Sequence, residues 1–395
     1  MLGHVDHGKT SITQCLTGTW TDTHSEELKR GISIKIGYAD TVFRKCPKCA
    51  EPEGYTRAEK CPKCGGATEI LRRVSFLDAP GHETLMTTAI AASSIMDGAL
   101  LVIAANETCP QPQTSEHMMV LDMLGVKNIV VAQNKVDLVP REKALENYKQ
   151  IKKFLAGTVA ANAPIVPMVA NKCANLDALI AAIQKHIPTP KRNREAGPKM
   201  YVARSFDVNK PGTEIPKLAG GVVGGSLIEG TVKLGDELEL RPGILVSEKG
   251  KEETAKPVRF TVDRIFTGSS SVKEAGPGGL IAIGTLLDPS ITKADGLVGN
   301  LLGKAGELPE VSKELSLEFH LLKRVDLENP PLKANEPLVI SIGTSTSIGF
   351  VDGIKKNVVR LKLKRPLCAL PAAKAAICRK IGQRWRLAGY GKIKA

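Results

Sequence analysis

The chain has 395 residues and a formal net charge of +14, with 42% hydrophobic and 24% charged residues. This length suggests two or three domains, and the composition is typical of a folded globular protein, which excludes disorder of the whole chain. No stretch reaches the roughly 18 consecutive apolar residues of a membrane-spanning helix, and the residues after Met1 do not form a secretory signal. The sequence therefore predicts a cytoplasmic protein.

The first motif lies at the start of the chain, where residues 3–10 read Gly-His-Val-Asp-His-Gly-Lys-Thr. It fits G-x-x-x-x-G-K-S/T, in which backbone N–H groups and a helix N-terminus surround phosphates. Lys9 is expected to reach the β- and γ-phosphates, and the Thr10 hydroxyl to bind Mg²⁺. A helix over residues 10–17 should follow. Because only two residues precede the motif, we expect that part of the preceding strand is missing from this sequence.

Two cysteine pairs come next, Cys46-x2-Cys49 and Cys61-x2-Cys64. This spacing can close a tetrahedral site, for which zinc is the best ion and iron a minor alternative. Four sulfur ligands leave no position for a substrate water, so the site is predicted to be structural. The other interpretations are two disulfides, which a cytosolic setting disfavours, or cysteines that do not meet in the fold. Most of the remaining cysteines are predicted to be buried small hydrophobic residues: Cys15, Cys109, Cys173, Cys368 and Cys378.

In the first half of the chain, short apolar runs alternate with segments of helical spacing. Such alternation is typical of an α/β fold, a parallel-rich sheet with helices on both faces. Buried strands are predicted at residues 74–77, 99–104, 128–131 and 165–168. Helices are predicted at residues 113–124, 143–155 and 175–187.

Two further motifs follow strands of this predicted sheet. Residues 78–82 read Asp-Ala-Pro-Gly-His; Asp78 can hold a metal through water, and the Gly81 N–H can sense a γ-phosphate. Residues 134–137 read Asn-Lys-Val-Asp, and the carboxylate can accept from guanine N1–H and the 2-amino group, a donor pair that adenine lacks. Three motifs in this order predict a P-loop GTPase domain and exclude an α/β domain that binds no nucleotide.

The pattern changes after a stiff linker at residues 188–192. Short β-type runs punctuated by glycine are typical of antiparallel barrels, and a second such segment begins near residue 312. The predicted domains are a GTP-binding domain at 1–190 with a zinc-binding insert at 44–68, a β-barrel at 197–310 and a basic β-barrel at 311–395.

The excess positive charge is confined to the last segment. Residues 353–395 contain 13 Lys or Arg and no Asp or Glu, whereas the first 352 residues have a net charge of +1. A one-sign segment favours a phosphate-rich partner, although a solvated surface without a partner is the alternative. Aromatic residues are scarce in it, so contacts with the nucleic-acid backbone are expected rather than base stacking. The candidate contacts are Lys362, Lys364 and Arg365.

Residues 3–10 and 78–82 together resemble the translational GTPases, which include elongation factor Tu. Residues 29–34, followed closely by the four-cysteine insert, and residues 204–213 resemble the γ subunits of translation initiation factor 2, in their archaeal form or a close eukaryotic relative. The resemblance covers essentially the whole chain. It implies a GTPase domain followed by two β-barrels.

The resemblance also implies a function. In this family the GTP form delivers methionyl initiator tRNA to the small ribosomal subunit, with GTP hydrolysis as the release switch. The γ subunit binds α and β subunits in a heterotrimer and uses GTP or GDP, Mg²⁺ and Zn²⁺. Three alternatives stay open: an elongation-type or selenocysteine-type aminoacyl-tRNA carrier, an RNA-binding scaffold with a structural GTP site, and a zinc module that itself reads RNA.

Site roles follow from the same resemblance. His82 is expected to orient the attacking water and to form the hydrolytic set with Lys9 and Gly81. Ser33 stands where the family has threonine as a second hydroxyl ligand of Mg²⁺, beside Thr10 and Asp78. Asp207 is a candidate for contact with the aminoacyl end of tRNA. The phosphate-binding set is Asp6, His7, Gly8, Lys9, Thr10 and Ser11.

The guanine pocket is expected to combine two stretches of chain. Asn134 and Asp137 should hold the base, and Lys135 should stack over the ring. The family closes this pocket with Ser-Ala, where this sequence has Val169-Ala170 followed by Asn171. The Ala170 N–H is expected to reach guanine O6.

Overall fold

The computed structural model describes residues 1–21, 37–79, 95–210, 212–246, 253–322, 329–382 and 384–394. The chain divides into two compact units, residues 1–190 and 191–395. Within the described ranges, no helix is long and apolar enough to cross a membrane.

A parallel sheet forms the centre of the first unit. Its strands, in spatial order, are β1 (Leu2–Gly3), β5 (Ala99–Ala104), β6 (Ile129–Asn134) and β7 (Ile165–Pro167). Every residue of β5 and β6 is buried, which a sheet covered on both faces requires. The covering helices are α1 (Lys9–Thr17), α2 (Pro112–Leu124), α3 (Arg141–Leu155) and α4 (Leu176–His186).

Alternate residues of β5 belong to two cores. Leu100 and Val102 pack in a cluster with α1 and α4, whereas Leu101 and Ile103 pack in a cluster with α2 and α3. This period of two follows from strand geometry. The α/β fold and its four covering helices agree with the sequence prediction, with helix bounds that differ by at most two residues.

The predicted buried strand at residues 74–77 belongs to a different sheet. It is part of β4 (Glu69–Asp78), which pairs antiparallel with β2 (Gly37–Lys45), while β2 also pairs with β3 (Tyr55–Thr56). Within residues 74–77, Phe76 is buried and the other three residues are half-buried, so the strand prediction is confirmed and the prediction of burial holds only in part. Only the end of β4 reaches the parallel sheet, where the Met1 amino group donates to the Leu77 carbonyl at 2.6 Å and the Ala79 N–H donates to the Met1 carbonyl at 3.3 Å.

The second unit contains two closed antiparallel barrels. In the first barrel, Gly225 allows close strand approach, because an added Cβ would lie 2.0 Å from the Tyr201 carbonyl oxygen. The barrel strands, in spatial order, are β11 (Glu237–Val246), β16 (Leu301–Lys304), β8 (Lys199–Phe206), β9 (Val222–Glu229), β15 (Ile281–Thr285) and β12 (Thr254–Thr267), which pairs back with β11. The small additions are β10 (Val232–Lys233), β13 (Ser270–Val272), β14 (Glu274–Ala275) and the one-turn α5 (Pro289–Thr292).

The second barrel carries the basic segment. Its strands, in spatial order, are β17 (Ser312–Leu321), β20 (Val358–Leu367), β19 (Ser345–Lys355), β18 (Pro337–Ile342), β21 (Lys374–Ile381) and β22 (Arg384–Ile393). Along β20, Leu361 and Leu363 are buried and Lys362 and Lys364 are exposed. The period of two thus places apolar residues inside the barrel and cations outside.

The two barrels share a short joint. The Arg241 guanidinium donates to the carbonyls of Leu308 and Pro309, each at 3.1 Å. From the other barrel, the Cys368 thiol donates to the same Pro309 carbonyl at 3.3 Å. Glu239 is buried and pairs with Arg241 at 3.3 Å, so the charge on the guanidinium has a partner where it is sheltered from water.

Candidate nucleotide-binding and zinc sites

The turn between β1 and α1 has the geometry of a phosphate-binding loop. Gly8 has φ +90°, and an added Cβ would lie 2.3 Å from Nδ2 of Asn134, so this position requires glycine. The helix begins directly after Gly8, and the N–H groups and dipole of its first turn favour an anion. Lys9 is buried and donates to the His4 carbonyl at 2.7 Å, which keeps its charge at the loop.

Two buried histidines hold this loop, and the sequence motifs did not reveal them in that role. The Gly3 N–H donates to Nδ1 of His117 at 3.1 Å, and burial lowers the pKa of His117 to about 3, so the ring is neutral. His7 lies with Nδ1 3.1 Å from the Val102 carbonyl oxygen and Nε2 3.3 Å from a Glu107 carboxylate oxygen. Burial lowers the pKa of His7, and the Val102 and Glu107 contacts oppose that shift.

Oxygen ligands suited to Mg²⁺ meet beside the phosphate loop. The hydroxyls of Thr10 and Thr21 both donate to Oδ2 of Asp78, each at 2.8 Å. Asp78 is buried, and its Oδ1 has no hydrogen-bond partner among the described residues. A metal-bound water would satisfy that oxygen, and hydroxyl and carboxylate groups are the donors that Mg²⁺ prefers. These residues therefore fit a magnesium site; Ser33 lies outside the described residues.

Thr21 is a member of this cluster that the sequence interpretation missed. It belongs to none of the three nucleotide motifs, and its contact with Asp78 spans 57 positions of the chain. The only local signal is its place just beyond the helix that follows the phosphate loop.

Asn134 joins the base-binding side of the pocket to the phosphate-binding side. Its Nδ2 donates to the His7 carbonyl at 3.0 Å, and its Oδ1 accepts from the Ala170 N–H at 3.0 Å. The side chain is buried, so both groups depend on these partners for hydrogen bonding. The Ala170 N–H, which we expected at guanine O6, is directed to Asn134 in this structure.

The remaining predicted guanine-binding residues surround Asn134 in sequence and space. Lys135 has φ +60° and begins a short 3-10 turn. Asp137 is exposed, with Oδ2 4.0 Å from Nζ of Lys172. Val169 precedes a second 3-10 turn, Ala170–Lys172, in which Asn171 is exposed. The two strand-end segments thus form one pocket edge, at which the Asp137 carboxylate is exposed to solvent beside Lys172.

The remaining predicted site residues lie in the phosphate loop, in α1 or outside the described residues. Asp6 has φ +59° in the loop, and Ser11 lies in α1. The predicted hydrolytic residues Gly81 and His82 lie outside the described residues.

The four cysteines of the insert converge on one point. Their Sγ atoms all lie within 4.8 Å of one another, with Cys46 and Cys64 3.5 Å apart and Cys49 and Cys61 3.7 Å apart. Zn–S bonds of about 2.3 Å in a tetrahedron would place sulfurs about 3.8 Å apart. The backbone N–H groups of Cys64 and Lys63 lower the pKa of Cys61 to about 6. This donor set fits a structural zinc ion.

Acidic residues pair with much of the positive charge around the insert. Arg44 lies 3.5 Å from Glu59, and Lys45 and Lys63 form ion pairs with neighbouring glutamates. Exposed pairs of this kind are weak, but they lower the net charge that a phosphate backbone would meet. This arrangement favours a structural module over an RNA-reading one.

The residues predicted to contact tRNA form interactions within this chain. Asp207 accepts from the N–H and the side-chain amide of Asn209, at 2.8 and 2.7 Å, which is a local turn. Lys362 lies 3.6 Å from Asp352, and Arg365 lies 3.4 Å from Glu253. Lys364 is exposed on β20.

Most of the remaining cysteines are buried as predicted, with one exception. Cys15, Cys368 and Cys378 are buried and Cys109 is half-buried, as expected for small hydrophobic residues. Cys173, by contrast, is exposed and is joined to Cys15 in a disulfide. Sequence spacing could not reveal this pair because the two residues are 158 positions apart.

Comparisons with known proteins agree with this pocket and fold. Residues 1–189 match the family model of the elongation factor Tu GTP binding domain, and residues 313–393 match that of initiation factor eIF2 gamma, C terminal. The fold and the pocket thus define a translational GTPase.

Solved structures also resemble this chain. The bacterial selenocysteine-specific elongation factor EF-Sec has a TM-score of 0.75 at 27% identity, over 99% of this chain and 57% of that chain. The elongation factor SelB from Methanococcus maripaludis, with a TM-score of 0.73 at 22% identity over 100% of this chain and 78% of that chain, shows the same fold.

Sequence relatives narrow the class further. The translation initiation factor 2 subunit gamma of Methanococcus maripaludis is 56% identical over 100% of this chain and 97% of its own length. The proteins of that name from Methanothermobacter thermautotrophicus and Pyrococcus abyssi are 53% and 55% identical over 100% of this chain, and 98% and 96% of their own lengths. The chain belongs to the translation initiation factor 2 subunit gamma family.

Proposed function

We propose that this chain is the core subunit of a heterotrimeric initiation factor in the cytoplasm, and that its GTP form carries methionyl initiator tRNA to the small ribosomal subunit. The observation that carries the proposal is identity of 53 to 56% over the whole chain with proteins named translation initiation factor 2 subunit gamma. We propose three domains for this work: the GTP-binding domain at 1–190 with its insert at 44–68, and barrels at 197–310 and 311–395.

The phosphate end of the pocket supplies the switch. Lys9 and the N–H groups of the loop bind the phosphates, while Thr10 and Asp78 hold Mg²⁺, which when bound neutralises charge on the phosphate oxygens. Ser33 is proposed as a further hydroxyl ligand. Hydrolysis is an in-line attack of water that His82 orients and the Gly81 N–H assists, and it ends the tRNA-binding state.

The base end of the pocket supplies specificity. The exposed Asp137 carboxylate accepts from guanine N1–H and the 2-amino group, which an adenine nucleotide cannot provide. Lys135 covers the ring. Asn134 holds His7 and Ala170 in place through its hydrogen bonds. The residues that bind the base are therefore connected to the residues that bind the phosphates. Val169 and Asn171 complete the wall.

The partners meet other surfaces. The exposed cations of the second barrel, among them Lys364 on β20, contact phosphates of tRNA or ribosomal RNA, and Lys362 and Arg365 add to that field. Asp207 lies near the bound aminoacyl end. The α and β subunits bind elsewhere on the chain, and the zinc insert has a structural role.

Binding of two tRNAs tests the proposal. Methionylated initiator tRNA and methionylated elongator tRNA would be titrated against the factor with a non-hydrolysable GTP analogue or with GDP, with and without α and β subunits. Tight binding of the initiator tRNA alone, and only with the GTP analogue, is expected. Binding that does not depend on the nucleotide would instead indicate a scaffold whose GTP site is structural.

A second candidate function has one observation in its favour. A solved structure that resembles this chain is the bacterial selenocysteine-specific elongation factor EF-Sec, with a TM-score of 0.75. An elongation-type carrier would bind the elongator tRNA as tightly as the initiator in the same titration. The much higher sequence identity to initiation factor subunits favours the first candidate.

Salt dependence tests the basic barrel separately. Removing one cation that neutralises a phosphate should reduce the slope of log K against log salt by about 0.7 to 0.9. We expect Lys364→Glu to reduce the slope for tRNA binding, whereas Lys153→Glu, an equal charge change on exposed α3, should leave it unchanged. Equal slopes for the two variants would exclude Lys364 from the interface.

A further inference from the structure

We propose that Cys15 and Cys173 form a reversible dithiol–disulfide switch that fastens the guanine loop, residues 169–173, to the phosphate-loop helix α1 and slows the release of bound nucleotide. The inference rests on the nucleotide pocket of the proposed function. It assigns to that pocket a redox control that none of its motifs indicates.

The two cysteines come from the two halves of the pocket. Cys15 lies within α1, the helix that starts at the phosphate loop, and is buried. Cys173 directly follows the 3-10 turn Ala170–Lys172 and is exposed. Their Cα atoms are 5.6 Å apart, within the range of about 4.4 to 6.8 Å that disulfides span without backbone movement.

The guanine loop is tight, so a bond at Cys173 fixes its neighbours. The N–H groups of Lys172 and Cys173 donate to the carbonyls of Val169 and Ala170, each at 3.1 Å. Cys173 itself has φ +47°, a left-handed conformation that leaves little freedom to a residue with a side chain. Only two residues separate Cys173 from Ala170, whose N–H donates to Asn134.

The disulfide therefore completes a closed circuit of contacts that joins the guanine loop to the phosphate-loop helix. The circuit runs from Cys173 through Ala170 to Asn134, then to the His7 carbonyl, and through the phosphate loop and α1 back to Cys15. Without the covalent bond, the loop is held by hydrogen bonds, each of which can open alone. With it, the loop cannot swing away from α1, and a bound guanine nucleotide has a narrower exit.

The chemistry needs an oxidant, which we assign to a low-molecular-weight disulfide. The exposed Cys173 thiolate attacks the oxidant, forming a mixed disulfide and releasing one thiol. The Cys15 thiolate then attacks the Cys173 sulfur and releases the second thiol, so that two protein thiols are oxidised and one disulfide is reduced to two thiols. A small dithiol reverses both steps. Disulfides in cytosolic proteins of mesophiles are usually transient and catalytic or redox-sensing, and the proposed switch is of this kind.

The first measurement is the bond itself. The zinc-loaded full chain would be treated with oxidised glutathione or with dithiothreitol, and digested under alkylating conditions. A peptide joining Cys15 to Cys173 should appear after oxidation and disappear after reduction, with zinc content unchanged. Absence of this peptide after oxidation would overturn the proposal.

The second measurement is release of a fluorescent GDP analogue by stopped flow. We expect the oxidised chain to release it at least about tenfold more slowly than the reduced chain, a difference that corresponds to about 1.4 kcal/mol. Cys173→Ser should release at the rate of the reduced chain under both conditions, because the exposed position tolerates serine. Cys109→Ser, a change at a half-buried cysteine outside the pair, should keep the redox dependence.

The outcomes separate the switch from the function on which it rests. A joined peptide with equal release rates, or a redox effect that survives in Cys173→Ser, overturns the switch alone. Failure of the reduced chain to bind GDP overturns both the GTP site and the switch. Loss of selective initiator tRNA binding, with the redox effect on GDP intact, counts against the carrier function only.

Discussion

The zinc insert and the nucleotide pocket belong to the same unit but are assembled in different ways. The insert takes all four ligands from residues 46–64 and orders them through local backbone bonds. The pocket takes its groups from residues 3–10, 78, 134–137 and 169–170, which meet only because strands of one fold end side by side. A local site of this kind can lose its structure without affecting the rest of the unit. In a distributed site, the loss of one contact also disturbs the other residues that depend on it.

Removing zinc should have the largest effect and should stay local. Metal binding contributes of the order of 10 kcal/mol or more to small zinc modules, so Cys46→Ser combined with Cys61→Ser should abolish zinc binding. Hydrogen exchange should rise over residues 46–68, while GDP affinity and tRNA binding stay unchanged. Cys109→Ser is the control with full zinc content. Loss of GDP affinity together with zinc would show that the two sites depend on each other, and loss of tRNA binding would revive the RNA-reading interpretation of the insert.

Lys9→Ala should have the next largest effect, at the other site. Loss of a buried charge that meets phosphate should cost about 3 kcal/mol or more, a factor above about a hundred in Kd for a GTP analogue. Calorimetric titration measures this, and Lys153→Ala on the surface of α3 is the matched control. Zinc content should not change. An affinity within a few-fold of the unaltered chain would mean that Lys9 does not reach the phosphates.

Asn134 tests the connection between the two ends of the pocket. Asn134→Ala removes two buried hydrogen bonds worth about 1 to 1.5 kcal/mol each, and should weaken GDP binding by about 2 to 3 kcal/mol. Asn134→Asp keeps the acceptor for the Ala170 N–H but loses the donor to the His7 carbonyl. It should therefore have an affinity between those of the unaltered chain and Asn134→Ala. Full affinity in Asn134→Ala would show that the ends of the pocket bind independently.

Thr21→Val should have the smallest effect. It deletes one of two hydroxyl contacts with Asp78, worth about 1 kcal/mol, or about fivefold in affinity for Mg²⁺ in the nucleotide complex. Magnesium titration of GDP release measures this. Thr19→Val makes the same change at an exposed position two residues away and should have no effect. Identical magnesium dependence in both variants would remove Thr21 from the site.

The contrast between the two sites also explains what sequence could predict. The sequence predicted that the four cysteines of the insert share one site, and their sulfurs do lie together, because their spacing is short and their contacts are local. The nucleotide motifs predicted the strand ends at Asp78 and Asn134, since such motifs bring their own backbone conformation. Two hydrogen bonds of the pocket, from Gly3 to His117 and from Asn134 to His7, each join residues more than 100 positions apart. A local sequence pattern cannot predict such contacts.

Two features of the structure depart from what the local sequence suggests, for the same physical reason. The apolar run at residues 74–77 looks like a core strand, but most of β4 extends beyond the parallel sheet and pairs with β2 alone. Cys173 looks like an ordinary small residue, yet the fold brings it beside Cys15. In both cases the local sequence is compatible with several environments, and the tertiary partner decides among them.

The joint between the barrels has a consequence for how such chains can be recombined. One barrel supplies Arg241 and the other supplies Cys368, and both side chains donate to the carbonyl of Pro309 in the connecting stretch. Leu308 and Cys368 are buried together in a small apolar cluster with Leu301. A chimera that replaces either barrel alone would break half of these interactions. Residues 191–395 are therefore a single exchangeable module made of two barrels, and a viable graft must carry both.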